Sequence, residues 1–492
     1  MLPERAGVPL GALAAVTGGR VVGDPAVRIT DVTHDSRQVH PGSLFVAVRG
    51  LRTDGHRFVA AAIEMGAVAV CVEGEAPKEA HGVKRVPQLV VDAARSVLPA
   101  LAAEVHGHPS RKMAVVGVTG TNGKTTVTHM MEAMAEAAGR PAALVGTVGA
   151  RVAGQAVSVA RTTPEASDLQ RLLAHMVAAG VQVAAVEVSS HALALQRAGA
   201  TWFEVSAFTN LSRDHLDFHG DLESYYRTKA SLFRPERTGH AVLWVDDPAG
   251  SRLAASVDLP VTTVGFSRQA LVRAEEVRSA VGENLFTLVV PEGRRRVRLP
   301  LGGDFNVANA LVSVACALRV GLPLEAACSG LEAMRQVPGR FEAVDAGQDF
   351  SVVVDYAHTP EGVQSVVSAA GKLTSGRLIV VLGAGGERDR EKRPLMGRAA
   401  APAELVVVTS DNPRSEDPVA IVEAVAGGAR AAGARVLEEP DRRSAIGQAL
   451  RMAGVGDVVL ILGKGHEQGQ EVAGRVLPFD DRQVVRQELA AL

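Results

Sequence analysis

A glycine-rich segment, Gly120-Thr-Asn-Gly-Lys-Thr-Thr126, contains the residue types that bind phosphate groups. It follows the apolar run 113–118 and precedes a helical pattern over 127–138. Glycines permit a tight turn whose backbone N–H groups point at an anion, and the helix N-terminus adds its positive dipole end. Lys124 can reach terminal phosphates and Thr125 can offer a hydroxyl to Mg²⁺. The strict motif has a glycine at the position of Val118, so this chain departs from it there. We predict a site for nucleotide phosphates, and the alternative is a glycine turn that binds no ligand.

Two more polar clusters follow apolar runs in this part of the chain. Glu187 lies in the run 183–188, before Ser189-Ser-His191, and the cluster 210–217 follows the run 205–209. Ligands of open α/β sheets bind beyond the carboxyl ends of strands, so Glu187 is a candidate Mg²⁺ ligand. A Ser/His nucleophile is the alternative there, but the G-x-S-x-G turn that exposes such a serine is missing. The cluster 210–217 alone could also be a solvated loop.

In three places near the C-terminal end, an apolar run is followed by a turn that contains charged residues. They contain Arg388, the segment Asp411-Asn412-Pro413-Arg414, and Gly463-Lys-Gly-His-Glu467. Arginines in such turns favour bidentate capture of carboxylate or phosphate, with solvated loop arginines as the alternative. A metalloprotease motif at His466-Glu467 fails because Gln470 stands where the second histidine is needed. These turns are therefore candidates for substrate binding.

The elements that must position these residues alternate short apolar runs, including 351–355, 378–382 and 458–462, with longer helical patterns. This alternation is typical of parallel strands joined by crossover helices, so we predict an α/β protein. The first 90 or so residues differ, with short strand-like pieces around one helix at 57–65, and indicate a small separate α/β domain. A second boundary falls near Val337-Pro-Gly339. We predict domains over residues 1–95, 96–337 and 338–492.

Composition excludes several classes of protein. The 492 residues are 47% hydrophobic and 22% charged, which favours a folded chain over a disordered one. The net charge of −2 gives no general attraction for nucleic acid or acidic membranes, and no apolar run is long enough to cross a bilayer. The run 8–16 is more typical of an N-terminal helix than of a signal peptide. Three scattered cysteines argue against disulfides or a zinc cluster and favour the cytoplasm.

Taken in order, the motifs resemble those of the Mur ligase family over nearly the whole chain. The resemblance rests on His34-Asp-Ser-Arg37, Asp54-Gly-His-Arg-Phe58, Gly120 to Thr126, Thr162-Thr-Pro-Glu165, Glu187-Val-Ser-Ser-His191, Thr209 to Asp217, Val337-Pro-Gly-Arg-Phe-Glu342, Asp355-Tyr-Ala-His-Thr-Pro360, Gly385-Gly-Glu-Arg388, Asp411 to Arg414 and Gly463 to Glu467. It implies an N-terminal domain for a UDP-linked substrate, a central P-loop ATPase with a mostly parallel sheet, and a C-terminal Rossmann-like domain that binds an amino acid.

The resemblance also implies a role for residues at matching positions. ATP would contact Gly120, Thr121, Asn122, Gly123, Lys124, Thr125, Thr126, Asn306, Asn309, Arg340 and Asp355. The UDP-linked muramoyl dipeptide would contact His34, Ser36, Leu51, Arg52, Thr53, Thr162, Thr163, Ser189, Leu195 and Arg197. At position 195 some members of the family have a polar contact, which leucine cannot make. The catalytic residues would be Lys124, Glu187, His215 and Lys229, and Mg²⁺ would be held by Thr125, Glu187, His215 and Lys229.

Lys229 matches the lysine that the family carbamylates with CO₂. The modification replaces an ammonium with an anion that can bind Mg²⁺ or orient Lys124. A lysine on the surface of a helix is the alternative.

The amino acid implied by the resemblance is meso-2,6-diaminopimelate. Its pocket would contain Arg388, Asp411, Asn412, Pro413, Arg414, Gly463 and Glu467. The Arg414 guanidinium can clamp the distal carboxylate of this amino acid and would repel the ammonium of lysine, while Glu467 can pair with the distal ammonium.

We therefore expect an ATP-dependent ligase that adds diaminopimelate to UDP-N-acetylmuramoyl-L-alanyl-D-glutamate through an acyl phosphate, in cytoplasmic peptidoglycan precursor synthesis. It would act as a monomer on small molecules, with no nucleic acid or membrane partner. One alternative is a Mur-type ligase that adds lysine, or a dipeptide at the next step. Another is a non-catalytic nucleotide-binding regulator, although a binder has no need of Glu187, His215 and Lys229 together.

Overall fold

Three main sheets, each covered by helices, follow one another along the chain in the computed structural model, which describes residues 6–50, 53–74 and 86–492. This arrangement confirms the predicted α/β class and the three-part architecture. The precise limits at residues 95 and 337 stay a prediction. No helix within the described ranges is long and apolar enough to span a membrane.

The first sheet has five strands in the order β2-β7-β6-β5-β4, and only the β2–β7 pair is antiparallel. Apolar residues three or four positions apart in α3, such as Leu98, Leu101 and Val105, form one buried face against this sheet. The predicted N-terminal helix is confirmed as α1. The elements are β1 Val8–Pro9, α1 Leu10–Thr17, β2 Arg20–Val22, β3 Arg28–Ile29, β4 Asp31–Thr33, β5 Ser43–Val46, α2 Val59–Glu64, β6 Ala69–Glu73, β7 Gln88–Val91 and α3 Ala94–Val105.

The central sheet has eleven strands in the order β11-β10-β9-β12-β8-β13-β14-β15-β16-β17-β18. Its strands are β8 Ala114–Thr119, β9 Ala142–Gly146, β10 Gly149–Val152, β11 Gln155–Val157, β12 Val183–Glu187, β13 Phe203–Phe208, β14 Thr238–Trp244, β15 Val261–Gly265, β16 Val272–Ser279, β17 Asn284–Val290 and β18 Gly293–Leu299. Its helices are α4 Lys124–Ala137, α5 Ala166–Ala178, α6 Ser190–Ala194, α7 Leu216–His219, α8 Leu222–Ala230, α9 Pro248–Ala254, α10 Asp304–Arg319 and α11 Leu324–Glu332.

The middle of this sheet positions the phosphate loop. β8 is buried along its whole length and pairs in parallel with β12 on one side and β13 on the other. The carboxyl ends of the three strands therefore lie side by side, with Thr119, Glu187 and Phe208 as their last residues. The sequence patterns did not predict the antiparallel strands at the two ends of the sheet. Two of these strands, β16 and β18, mix charged and apolar residues rather than forming the continuous apolar runs of buried parallel strands.

The third sheet has six strands in the order β19-β20-β24-β21-β22-β23, and only the β19–β20 pair is antiparallel. β20, β21 and β24 have the predicted bounds, and their carboxyl ends share one edge of the sheet. The elements are β19 Glu342–Val344, β20 Ser351–Asp355, α12 Pro360–Leu373, β21 Leu378–Leu382, α13 Lys392–Ala400, β22 Leu405–Val408, α14 Pro418–Ala431, β23 Val436–Glu438, α15 Arg442–Met452, β24 Val458–Leu462, β25 Gly469–Val472, β26 Arg475–Pro478 and α16 Asp481–Leu489.

Candidate active site

The glycine loop joins β8 to α4 and is fixed by contacts from two other elements. Gly123 has a φ of 90°, and a Cβ placed there would lie 2.4 Å from Oδ1 of Asn309, so the loop has no room for a side chain at this position. The loop N–H of Asn122 donates to Oδ1 of Asn210 (3.0 Å), and the N–H of Thr121 donates to the Asn210 carbonyl (2.9 Å). The segment that follows β13 thus holds the phosphate loop in place by hydrogen bonds, a role that the sequence did not reveal.

Lys124 begins α4 and folds back onto the loop. Its Nζ donates to the carbonyls of Gly120 (2.9 Å) and Thr121 (2.8 Å), and burial lowers the pKa of Lys124. Thr125, the next residue, accepts a hydrogen bond from Nη2 of Arg340 (3.0 Å). The structure therefore brings Arg340 from the third part of the chain to the phosphate loop, as the resemblance implied.

Lys229, on α8, reaches the same carbonyl as Lys124. Its Nζ donates to Gly120 O at 2.8 Å, and the residue is only 1% exposed. Burial and the nearby Lys124 ammonium lower the pKa of Lys229 well below its ordinary value. The alternative of a lysine on the surface of a helix is therefore wrong.

Glu187, at the end of β12, is held by Thr147. The Thr147 N–H donates to Oε1 (2.9 Å) and its hydroxyl pairs with Oε2 (3.0 Å). Two predicted substrate contacts adjoin this pair, because the Thr162 hydroxyl lies 3.1 Å from that of Thr147 and the Thr163 hydroxyl donates to the Glu187 carbonyl at 2.7 Å. Ser189 caps α6 by accepting from the Ala192 N–H, which is a structural use of the hydroxyl rather than that of a nucleophile.

His215 lies just before α7, beside a small aromatic cluster. Its Nε2 is 3.3 Å from Oδ2 of Asp214, and its ring centroid is 4.6 Å from that of His191. Burial lowers the pKa of His215 to about 4, so the ring is neutral at pH 7, the form that binds metals. No cluster of three or more His, Cys, Asp or Glu side chains within the described ranges could hold a metal ion. Mg²⁺ uses few protein ligands and completes its coordination with water and substrate phosphates.

A cavity of about 460 Å³ opens beside the phosphate loop. An aromatic pair that the sequence did not reveal, Trp244 and Phe266, lines it with ring centroids 5.2 Å apart. Asn306 is behind the wall rather than on it, where it accepts a hydrogen bond from Asn309 Nδ2 at 3.1 Å. The predicted ATP contacts that line the cavity are Asn122, Gly123, Thr126, Asn309, Arg340 and Asp355.

Asp355 ends β20 and is held by backbone groups. Its two oxygens accept from the N–H groups of Phe341 (2.6 Å) and Ala357 (2.7 Å), while burial raises the pKa of Asp355. The carboxylate thereby fixes the turn that closes the nucleotide cavity.

A second cavity of about 340 Å³ adjoins the first and shares Tyr356, His358 and Thr359 with it. Its walls come from the central part of the chain, including Asp214 and His215, and from the C-terminal part. The predicted pocket residues that line it are Arg388, Asp411, Asn412, Arg414, Gly463 and Glu467. Pro413 is buried next to them. The structure therefore brings three separate sequence turns together at one site.

Lys464 lies under this second cavity and was not predicted as a site residue. The side chain is fully buried, and its Nζ donates to Asn412 Oδ1 (3.1 Å) and Glu467 Oε2 (3.0 Å). Nζ also lies 3.8 Å from Oδ1 of Asp411. The lysine therefore offsets two pocket carboxylates. One sequence feature could have identified Lys464 as a site residue: it lies three residues before Glu467 in one glycine-flanked motif.

A third cavity of about 700 Å³ lies between the first part of the chain and α5. Of the predicted UDP-substrate contacts, His34 lines it, and Arg197 holds the lining residue Glu165 through Nε (2.9 Å). Ser36 is half-buried and Thr53 is exposed, and neither is a wall residue of this cavity. The side chain of Leu195 has no polar atom, and its backbone carbonyl accepts from Nη1 of Arg95 at 3.3 Å. Leu51 and Arg52 are outside the described residues.

The sequence of this chain matches known protein families and known proteins. The chain matches models of the Mur ligase family catalytic domain over residues 28–106, the Mur ligase middle domain over 118–317 and the Mur ligase glutamate ligase domain over 339–465. It is similar to proteins named UDP-N-acetylmuramoyl-L-alanyl-D-glutamate--2,6-diaminopimelate ligase. The one from Streptomyces coelicolor is 45% identical (95% of this chain, 93% of the relative), and the one from Gloeobacter violaceus is 46% identical (97% of each).

A solved structure carrying the same ligase name superposes with a TM-score of 0.70 at 31% identity, and covers 99% of both chains. The chain thus belongs to the Mur ligase family.

Proposed function

We propose that this chain is an ATP-dependent ligase that adds meso-2,6-diaminopimelate to UDP-N-acetylmuramoyl-L-alanyl-D-glutamate. The observation that carries the proposal is the shared wall between two cavities, one at the phosphate loop and one lined by Arg414 and Glu467. A nucleotide in the first would have its terminal phosphate directed towards an amino acid in the second. The relatives described above support the same activity.

In the first cavity, the loop N–H groups and the N-terminus of α4 would bind the phosphates. Lys124 would exchange its two loop carbonyls for phosphate oxygens, a stronger, charge-assisted contact. The Trp244–Phe266 pair provides an apolar wall suited to the base. Mg²⁺, held by Thr125, Glu187 and His215, would neutralise phosphate charge.

The chemical problem is that a carboxylate does not react with an amine until one of its oxygens becomes a leaving group. Transfer of the γ-phosphate to the D-glutamyl carboxylate gives an acyl phosphate and ADP. The amine then forms the C–N bond as the C–O bond to phosphate breaks. Thr163 donates to the Glu187 carbonyl, while Thr162 bonds to Thr147 and Ser189 to Thr163. These three residues would orient the substrate carboxylate beside the phosphate loop.

The second cavity would select the amino acid by charge. Arg414 and Arg388 face it as cations, and Glu467 as an anion whose charge Lys464 partly offsets. Diaminopimelate presents both a carboxylate and an ammonium at its far end, whereas lysine presents an ammonium alone. Breaking the charge-assisted pair at Arg414 would cost about 1.5–3 kcal/mol, enough to discriminate between the two.

The deciding experiment measures ADP release with UDP-N-acetylmuramoyl-L-alanyl-D-glutamate and, in turn, diaminopimelate, lysine or no amino acid. We expect release with diaminopimelate only. Faster release with lysine would assign the chain to the alternative ligase of the same step. ATP binding with no release under any condition would favour the non-catalytic regulator.

Lys229 is proposed to carry a carbamate derived from CO₂. The support is its burial and its position 2.8 Å from the carbonyl that Lys124 also contacts, where a second ammonium is unfavourable. A carbamate would pair with Lys124 and add an oxygen ligand for Mg²⁺. ¹³C NMR of folded enzyme incubated with ¹³C-bicarbonate should show a carbamate signal that Lys229→Ala lacks, and activity should fall in CO₂-free buffer and return with bicarbonate. A bare amine in fully active enzyme would contradict the proposal.

We further propose three domains, at residues 1–95, 96–337 and 338–492, one for each substrate. The enzyme would act as a monomer. Its location would be the cytoplasm, where ATP and UDP-sugars are available. Analytical ultracentrifugation and cell fractionation test the last two.

A further inference from the structure

The strands β25 and β26 form a two-stranded sheet beside the segment Asp411–Arg414. The Arg414 N–H donates to the Glu471 carbonyl (3.0 Å), and the Ala473 N–H donates to the Arg414 carbonyl (2.7 Å). From side chains, Gln470 Nε2 donates to the Asp411 carbonyl (2.8 Å), and Asn412 Oδ1 accepts from the Glu471 N–H (2.9 Å). The hairpin thus fixes the backbone of the segment that carries the pocket arginine.

The side chain of Glu471 adds an ion pair to these backbone contacts. Its Oε2 accepts from Nε of Arg414 at 3.0 Å, while Nη1 of Arg414 donates to the Gly386 carbonyl. Arg414 is itself a wall residue of the amino-acid cavity, and the described residues that line this cavity do not include Glu471. The carboxylate therefore contacts the guanidinium at its Nε, away from the cavity.

Arg414 needs such support for a conformational reason. Its φ of 54° is in the left-handed region, which non-glycine residues seldom adopt, and its long side chain could sample many rotamers. Contacts at Nε and Nη1 remove that freedom. They leave Nη2 without a protein acceptor among the described residues, so its N–H groups can donate to a ligand.

We propose that Glu471 is a positioning residue that orients the Arg414 guanidinium towards the distal carboxylate of the amino-acid substrate. This inference rests on the proposed function, because it assumes that Arg414 binds that carboxylate. Preorganisation of this kind improves affinity by reducing the entropy lost on binding. The opposite possibility, that Glu471 occupies the seat of the substrate carboxylate, predicts tighter substrate binding when Glu471 is replaced.

The experiment compares Glu471→Gln and Glu471→Ala with wild type in steady-state assays of ADP release. The backbone bonds of residue 471 survive both changes, so only the carboxylate is tested. The KM for diaminopimelate should rise about fivefold in Glu471→Ala, the size expected for a half-exposed ion pair, and less in Glu471→Gln, whose amide oxygen can still accept from Nε. The kcat and the KM values for ATP and the UDP substrate should stay unchanged.

Two controls separate positioning from general stability. Glu488→Gln removes a comparable pair between Glu488 on α16 and Arg443 on α15 (3.1 Å), and should leave the KM for diaminopimelate unchanged. In an Arg414→Ala background, Glu471→Ala should add no further rise in KM, because its role acts through Arg414.

The outcomes are distinguishable. A KM change of less than about twofold in Glu471→Ala, a fall in KM, or an equal further rise in the Arg414→Ala background would overturn the inference while leaving the ligase function intact. If wild-type enzyme adds lysine instead of diaminopimelate, the proposed function fails and the role assigned to Arg414 and Glu471 fails with it.

Discussion

The replacement Asp481→Asn tests how the amino-acid pocket is held together. Arg442 and Asp481 are both fully buried, and they form two hydrogen bonds, from Nε to Oδ1 at 2.8 Å and from Nη2 to Oδ2 at 2.6 Å. Burial lowers the pKa of Arg442, but the contacts with Asp481 and the charges of Asp411 and Glu467 together outweigh burial, and the net shift is upward. Arg442 also donates to the carbonyls of Ser410 (3.3 Å) and Leu462 (3.0 Å). Those residues directly precede the pocket residues Asp411 and Gly463, so one guanidinium ties two pocket turns to α16.

The magnitude follows from the burial. Removing one partner of a buried ion pair leaves an uncompensated charge and costs about 3–5 kcal/mol. Asparagine keeps one acceptor oxygen, so we expect the lower end, about 3 kcal/mol. At about 2–4 °C per kcal/mol for a domain of this size, the melting temperature of the C-terminal part should fall by about 6–12 °C. Removing both charges in Arg442→Met with Asp481→Leu should restore much of this loss.

The assay combines thermal melting, followed by circular dichroism, with hydrogen exchange of the β22 and β24 amides. Exchange should accelerate in those two strands and not in β8, because Arg442 contacts the turns that follow them. The KM for diaminopimelate should rise more than the KM for ATP. A melting temperature within about 2 °C of wild type would refute the reasoning, because it would mean that the buried arginine is stable without its partner.

Three other predictions concern the phosphate loop, the pocket and a joint between domains. Lys124→Ala should abolish ADP release while calorimetry still detects binding of the UDP substrate, and retained release would contradict its role. Arg414→Ala should raise the KM for diaminopimelate by roughly 10- to 150-fold, equivalent to about 1.5–3 kcal/mol, and an unchanged KM would remove the assignment. Burial alone raises the pKa of Asp31, but contacts with His106 and Arg171 hold that pKa below its ordinary value. Its stabilising effect is therefore complete above about pH 4 and lost as the pH falls further, so Asp31→Asn should flatten acid unfolding curves measured by fluorescence.

Much of the parallel core followed from the sequence, since β20, β21 and β24 are continuous Val, Leu and Ile runs that few other structures accommodate. The antiparallel strands β16 to β18 did not follow, because their alternating pattern could equally be a surface hairpin. Among the site residues, those of the phosphate loop could be predicted because one short segment contains all the residue types that bind phosphate. Trp244 and Phe266 could not, because β14 and the residue after β15 are far along the chain from the phosphate loop, and aromatic residues at such positions more often belong to a core.

The unpredicted residues Lys464, Arg442 and Glu471 share a physical reason. Each acts on the pocket through another residue: Lys464 through Asn412 and Glu467, Arg442 through two backbone carbonyls, and Glu471 through Arg414. Local patterns identify residues that meet a ligand, because those residues must have particular chemistry at a particular turn. A supporting residue needs only to reach its partner, which many positions in a fold could do. Its identity therefore depends on tertiary geometry. Support is separated from contact by a double replacement, because removing a supporting residue has no further effect on KM once the residue that it supports has been removed.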